Sequence, residues 1–129
     1  MTDIAQPHRI LVTEDEPAMM EAITTVLGRA GFSVIPAKDG KEGVEFALRD
    51  HPDCIILDIL MPNVDGVTMM ETLRRDTWGK TIPIIILTNL DASDKMIETI
   101  LRNQPSYYLI KASTSLEDLV EKVKNVLSV

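Results

Sequence analysis

Five short apolar runs alternate along the chain with five longer amphipathic stretches, and this alternation limits the possible folds more than any other feature. The runs cover residues 10–12, 32–35, 54–57, 84–87 and 107–110. They are rich in β-branched and aromatic residues and too short for helices, which is typical of strands. The third and fourth runs are apolar throughout, as expected for strands that are covered on both faces.

The stretches between the runs carry the signals of helix ends. Pro17 stands at a first helical position, and Gly31 stands where a left-handed helix end is expected. Residues of the N-cap type precede the later stretches: Asp39, Asp65, either Asp91 or Ser93, and either Thr114 or Ser115. Each unit therefore pairs one strand with one helix.

Such a repeated strand–helix pattern predicts an α/β fold. Parallel strands joined by right-handed helical crossovers form a three-layer, doubly wound sandwich, here with a five-stranded parallel sheet and five helices. The length of 129 residues suits one domain covering residues 1–129, with residues 1–7 as a loose N-terminal segment.

Composition excludes several classes of protein. Thirteen Lys and Arg against twenty Asp and Glu give a net charge of −7, so we expect no direct binding of nucleic acid through phosphate neutralisation. The chain has no apolar run of membrane-spanning length and no N-terminal leader pattern, so we expect no membrane insertion. A single cysteine, Cys54, is consistent with a cytoplasmic location.

Polar residues follow four of the five runs, and they point to a site at one edge of the sheet. Glu14 and Asp15 follow the first run, Asp58 the third, Thr88 the fourth and Lys111 the fifth. In open parallel sheets, ligands bind beyond the carboxyl ends of the strands, so these side chains are expected to converge. The second run has no acidic residue at its end, which favours a position at the edge of the sheet.

Each of these residues also has a purely structural explanation. The acidic residues before Pro17 would complement a helix dipole, and Asp58 would suit a turn. Thr88 would suit a helix cap, and Lys111 a solvated surface. Four independent strand ends that supply a complementary set are not explained by capping, so we favour a common site.

The chemistry of this set favours Mg²⁺ and a phosphoryl group. Carboxylates that lie close together repel one another unless a cation joins them, and hard oxygen ligands suit Mg²⁺ better than zinc. An amine and a hydroxyl beside the metal would hold the oxygens of a phosphoryl group while Asp58 attacks phosphorus, giving an aspartyl phosphate.

Residues 8–128 resemble the receiver domain of two-component response regulators. The resemblance is carried by the segment 10–17 (ILVTEDEP), the nine-residue string 58–66 (DILMPNVDG), the segment 86–88 (ILT) and the segment 108–111 (YLIK). It implies the CheY-like, flavodoxin-like strand order 2-1-3-4-5.

The resemblance also implies roles for individual residues. Asp58 would accept phosphate from the phosphohistidine of a sensor histidine kinase or a histidine phosphotransfer protein, aided by Thr88 and Lys111. Mg²⁺ would be held by Glu14 (largely through water), Asp15, Asp58 and the backbone carbonyl of Leu60. Thr88 and Tyr108 would then move, altering the surface of helix 4, strand 5 and helix 5 that a downstream effector or a second copy of the chain would recognise.

The chain departs from the family pattern at three places. Ala112 stands in place of a proline that commonly follows a cis bond, so we predict a trans Lys111–Ala112 bond. Asn89 replaces a small residue, which would narrow access to the site, and the pair Gln104–Pro105 replaces a glycine–alanine pair.

Leu60 and Leu90 occupy positions where the family tunes the attack of water. Neither side chain forms a hydrogen bond, so we predict slow self-dephosphorylation. The expected activity modifies the chain itself and is not ordinary enzymatic turnover.

Three other functions are alternatives to a phosphorylated receiver. A receiver-like interaction module that is never phosphorylated stays open because of Asn89 and Ala112. A nucleotide- or flavin-binding protein is disfavoured, since no glycine-rich loop follows the first run. An aspartate-nucleophile phosphatase would carry a second acid at the position of Leu60.

Overall fold

The computed structural model of the chain describes residues 6–89 and 91–129. Strands and helices alternate throughout this part of the chain, as predicted. The elements are β1 (Arg9–Thr13), α1 (Pro17–Arg29), β2 (Ser33–Ala37), α2 (Gly40–Asp50), β3 (Cys54–Leu57), α3 (Gly66–Arg75), β4 (Ile84–Thr88), α4 (Asp94–Arg102), β5 (Tyr107–Ile110) and α5 (Leu116–Leu127). A 3₁₀ turn at Lys111–Ser113, which the sequence did not predict, precedes α5.

The five strands form one parallel sheet in the order β2-β1-β3-β4-β5, which confirms the expected fold. The strand ends are aligned, with Thr13 paired to Leu57 and Thr88 paired to Ile110. The carboxyl ends of β1, β3, β4 and β5 therefore lie along the same edge of the sheet.

Two apolar layers cover the sheet, one on each face. On one face, α1 and α5 pack their buried residues, such as Leu27 and Val123, against β1, β3 and β4. On the other face, residues of α2, α3 and α4, including Met70 and Ile100, pack against the same strands. Burying each large aliphatic side chain contributes about 1.5–3 kcal/mol, so this packing rather than local propensity holds the helices in place.

Helix caps explain where the helices begin. The side chains of Asp39, Asp65, Ser93 and Ser115 each accept a backbone N–H in the first turn of their helices. Ser93 and Ser115 were each one of two candidates from the sequence. Gly31 has a φ of 94°, which is the left-handed conformation expected beyond the end of α1.

The second strand differs in its bounds from the predicted run 32–35. It begins at Ser33 and continues through Pro36 to Ala37. Proline is tolerated here because β2 is an edge strand, so the missing N–H does not interrupt the sheet.

Cys54 lies in β3 with its thiol buried, and burial raises the pKa of this thiol to about 12. It is therefore inert in the folded chain, as expected from the sequence. Within residues 6–89 and 91–129, no helix is long and apolar enough to cross a membrane.

Candidate functional site

The predicted polar residues meet at the carboxyl edge of the sheet. Thr88 is the last residue of β4, Lys111 follows β5 directly, and Asp58 follows β3 directly. Glu14 follows β1 and is held there because its backbone N–H donates to Ala37 O at 3.0 Å. The structure thus brings together side chains that are separated by up to 97 residues in sequence.

Lys111 joins two acidic side chains in the centre of this site. Its Nζ lies 2.5 Å from Glu14 Oε1 and 2.7 Å from Asp58 Oδ2. All three side chains are at most 9% exposed. A cation that is shielded from water between two carboxylates is not a solvated surface lysine, so the structural explanation for Lys111 fails.

The other carboxylate oxygen of Asp58 is also held by two donors. Thr88 Oγ1 donates to Asp58 Oδ1 at 2.7 Å, and the backbone N–H of Leu60 donates to the same oxygen at 3.1 Å. These bonds fix the orientation of the Asp58 carboxylate at the edge of the sheet. Thr88 does not cap α4, since Ser93 does.

Burial and ion pairing act in opposite directions on the pKa values of Glu14 and Lys111. Burial raises the pKa of Glu14 above its ordinary value, and the hydrogen bond and charge of Lys111 only partly oppose this rise. Burial alone would lower the pKa of Lys111, but its hydrogen bonds to Asp58 and Glu14 outweigh burial and raise it. Lys111 therefore stays cationic between its partners.

The acidic side chains also form a group that fits a metal ion. Ligand oxygens of Glu14, Asp15 and Asp58 all lie within 4.8 Å of one another. Glu14 Oε2 is buried and has no hydrogen-bond partner among residues 6–89 and 91–129. A buried carboxylate oxygen without a partner is costly unless a cation or water satisfies it, so this donor set suits a hard cation such as Mg²⁺.

The loop that follows Asp58 is supported by a pair that sequence reasoning missed. Asn63 has a φ of 68°, and its Nδ2 donates to Asp39 Oδ2 at 2.7 Å. The other oxygen of Asp39 caps α2 by accepting the N–H of Glu42 at 2.9 Å. The cap at the start of α2 thereby also positions the phosphoacceptor loop predicted from the sequence.

Two other predicted residues lie around this centre. Tyr108, in β5, is half-buried and packs against the apolar layer formed by α2, α3 and α4. The side chain of Leu60 is 56% exposed at the mouth of the site. Leu90 lies outside the described residues.

Two departures from the family pattern, Asn89 and Ala112, lie beside the site in the loops that follow β4 and β5. The described residues contain no cis peptide bond, so the Lys111–Ala112 bond is trans, as predicted. Asn89 Oδ1 accepts the backbone N–H of Ala112 at 3.0 Å, a contact that the sequence did not indicate. The third departure, the pair Gln104–Pro105, lies in the turn before β5, at the opposite edge of the sheet, and Gln104 takes a φ of 54° there.

The sequence is similar to those of curated regulatory proteins. It is 35% identical over 123 residues to the probable transcriptional regulator ycf27 of Porphyridium aerugineum, which covers 95% of this chain and 49% of the relative. It is 31% identical over 121 residues to the response regulator MprA of Mycolicibacterium vanbaalenii, which covers 94% of this chain and 51% of the relative. The chain thus spans about half the length of these relatives.

Solved receiver structures have the same fold. A putative response regulator from Chloroflexus aurantiacus superposes with a TM-score of 0.84 at 31% identity, covering 95% of this chain and 99% of the other. The receiver domain of a sensor histidine kinase from Pseudomonas aeruginosa, which has a magnesium ion coordinated in its active site cleft, gives a TM-score of 0.84 at 28% identity and covers 95% and 99% of the two chains.

The family model of the response regulator receiver domain matches residues 10–124. This range contains every polar residue of the site described above, from Glu14 to Lys111. Sequence, fold and site agree: the chain belongs to the receiver domains of two-component response regulators.

Proposed function

We propose that this receiver, taken as one domain over residues 1–129, accepts a phosphoryl group on Asp58 from a phosphohistidine in a Mg²⁺-dependent reaction. One observation supports this most strongly. Both oxygens of Asp58 are held at the edge of the sheet, one by the amine of Lys111 at 2.7 Å and the other by the hydroxyl of Thr88 at 2.7 Å. A charged donor and a neutral donor are thus already in place where phosphoryl oxygens would arrive.

In the proposed reaction, a carboxylate oxygen of Asp58 attacks phosphorus. A new P–O bond forms while the P–N bond of the phosphohistidine breaks, and the electron pair of that bond returns to the imidazole nitrogen, which then takes up a proton. Lys111 and Thr88 hold the oxygens of the transferred group and offset the charge on them. The product is an aspartyl phosphate on this chain and a free histidine on the donor.

Glu14, Asp15, Asp58 and the backbone carbonyl of Leu60 are the proposed ligands of Mg²⁺. When bound, the ion would offset negative charge on the phosphoryl group. The carboxylate oxygens already lie within 4.8 Å of one another, and the unpaired Glu14 Oε2 would gain a partner, directly or through water.

The proposed donor is a sensor histidine kinase or a histidine phosphotransfer protein, in agreement with the family. Thr88 and Tyr108 are proposed to transmit the modified state to the surface formed by α4, β5 and α5. This surface exposes apolar side chains, with Leu101 at 57% and Ile110 at 39%. Such residues suit a downstream effector or a second copy of the chain that binds after phosphorylation.

The proposal is tested by incubating the chain with acetyl phosphate and Mg²⁺ and measuring the intact mass. We expect the mass of one phosphoryl group to be added and the modified peptide to contain Asp58. Asp58→Asn, which keeps the size of the side chain but removes the nucleophile, is expected to gain no mass, and so is the wild type in excess EDTA. Asp53→Asn, at the acid that directly precedes β3 on the opposite edge of the sheet, serves as the matched control and should be modified normally.

An unmodified wild type would contradict the proposal. If the chain also kept its fold under those conditions, the result would favour a receiver-like module that binds partners without phosphorylation. Modification at a residue other than Asp58 would contradict the assignment of the acceptor.

Slow loss of the phosphoryl group is a second expected property. Hydrolysis requires water to attack phosphorus and release inorganic phosphate from Asp58. The exposed side chain of Leu60 neither donates nor accepts a hydrogen bond, so it cannot orient that water. After removal of the donor, we expect decay over minutes or longer, and Leu60→Asn, which supplies both a donor and an acceptor, should shorten the lifetime. Decay of the wild type within seconds would contradict this prediction.

A further inference from the structure

The two departures from the family pattern nearest the site contact each other. Asn89 directly follows β4, and Ala112 is the second residue after the end of β5. Asn89 Oδ1 accepts the backbone N–H of Ala112 at 3.0 Å. A proline at position 112 would have no N–H to donate, and an alanine or glycine at position 89 would have no side-chain oxygen to accept it. The two residues are therefore a complementary donor and acceptor.

This bond lies where the β4–β5 pairing ends. The last pair of that ladder is Thr88 with Ile110, and the 3₁₀ turn Lys111–Ser113 begins directly afterwards. The first N–H groups of any helical turn lack partners within the turn. Ile110, the residue before the turn, provides no side-chain cap. Asn89, which directly follows β4, therefore caps this turn by accepting the N–H of Ala112.

The capped turn carries the amine of the site. Lys111 Nζ lies 2.7 Å from Asp58 Oδ2. The backbone of the next residue, Ala112, is held by its hydrogen bond to Asn89. Thr88, the residue before Asn89, contacts the other oxygen of Asp58 at 2.7 Å. The side chain of Asn89 thus joins the loop that follows Thr88 to the turn that contains Lys111.

We infer that Asn89 is a positioning residue for phosphoryl transfer: by accepting the Ala112 N–H, it holds Lys111 and Thr88 together in the arrangement that contacts Asp58. This inference rests on the proposed function for its effect on rate. A single hydrogen bond of this kind changes the population of such an arrangement by about two- to tenfold. We therefore expect Asn89→Ala to slow phosphorylation of Asp58 by about that factor.

A cycle of variants separates this role from a steric one. If Asn89 only narrowed access to the site, Asn89→Ala would speed the reaction with acetyl phosphate. In Ala112→Pro the donor is absent, so adding Asn89→Ala should cause no further loss of rate. Thr24→Ala, at an exposed polar residue of α1, is the matched control and should react like the wild type. A faster Asn89→Ala variant, or equal losses in both backgrounds, would overturn the inference.

Hydrogen exchange of the Ala112 amide, measured by NMR on the unphosphorylated chain, tests the contact independently of the reaction. We expect this amide to exchange slowly in the wild type and in Asn89→Asp, which keeps an acceptor oxygen, and several-fold faster in Asn89→Ala. Equal exchange in wild type and Asn89→Ala would overturn the inference even if Asp58 is phosphorylated. A wild type that shows the slow amide but gains no phosphoryl group would instead contradict the proposed function.

Discussion

Replacing Lys111 by methionine is expected to slow phosphorylation of Asp58 by about 10²–10³-fold, the usual cost of removing a placed donor to developing charge. The amine is the charged group that contacts Asp58, at 2.7 Å, and its side chain is only 9% exposed. Water cannot easily replace it there. Methionine has a similar length and removes the charge, so the effect is measured as the initial rate of mass gain with acetyl phosphate and Mg²⁺.

The same substitution should strengthen the effect of Mg²⁺ on stability. Without Lys111, Glu14 and Asp58 are left as buried acids with no cation between them, which destabilises the metal-free chain. Added Mg²⁺ should then raise the melting temperature more in Lys111→Met than in the wild type. Lys80→Met, at an exposed lysine, is the matched control for both measurements. A phosphorylation rate equal to that of the wild type would contradict the role given to Lys111.

The architecture was predictable because its signals are local. Runs such as 54–57 and 84–87 are short, apolar and β-branched, and cap residues such as Asp39 and Asp65 mark the following helices. These features predict the number and class of the elements. The absence of an acid after β2 predicted its edge position, and the family resemblance supplied the order of all five strands.

The exact ends of the helices and strands were less predictable, because neighbouring residues have similar local preferences for the same position. Asp91 and Ser93 are both good N-caps, and the choice of Ser93 depends on where α4 can pack Ile100 against the sheet. Pro36 looks like a strand breaker, yet an edge strand accommodates it. In both cases tertiary contacts decide between local preferences that are nearly equal.

The charged residues of the site were predictable from the sequence, but the hydrogen bonds that hold the surrounding loops in place were not. Strand ends in a parallel sheet converge, so Glu14, Asp58 and Lys111 could be brought together from sequence alone. The Asn63–Asp39 and Ala112–Asn89 bonds join residues 24 and 23 positions apart, and both depend on the paths of two loops. No periodicity or motif in the sequence specifies those paths.

Gly66→Ala is expected to destabilise the fold by about 3 kcal/mol, near the upper end of the usual cost of overpacking. Gly66 begins α3 and lies against the backbone of Asp58, and its backbone N–H donates to Ile59 O at 3.0 Å. A Cβ at residue 66 would overlap the carbonyl oxygen of Asp58 and lie 2.7 Å from Ile59 Cα. Both are backbone atoms that cannot rotate away, so the loop itself must move.

That movement should also affect the proposed reaction, because it displaces Asp58. We expect the folded fraction of Gly66→Ala to take up phosphate more slowly than the wild type. Gly28→Ala is the matched control: this exposed glycine of α1 has nothing within 4 Å of the added Cβ, so alanine should stabilise the helix by about 0.5–1 kcal/mol. Urea denaturation measures both changes. If Gly66→Ala and Gly28→Ala had the same free energy of unfolding, the backbone at Asp58 would be able to move at little cost. That result would contradict a carboxylate held rigidly by its loop.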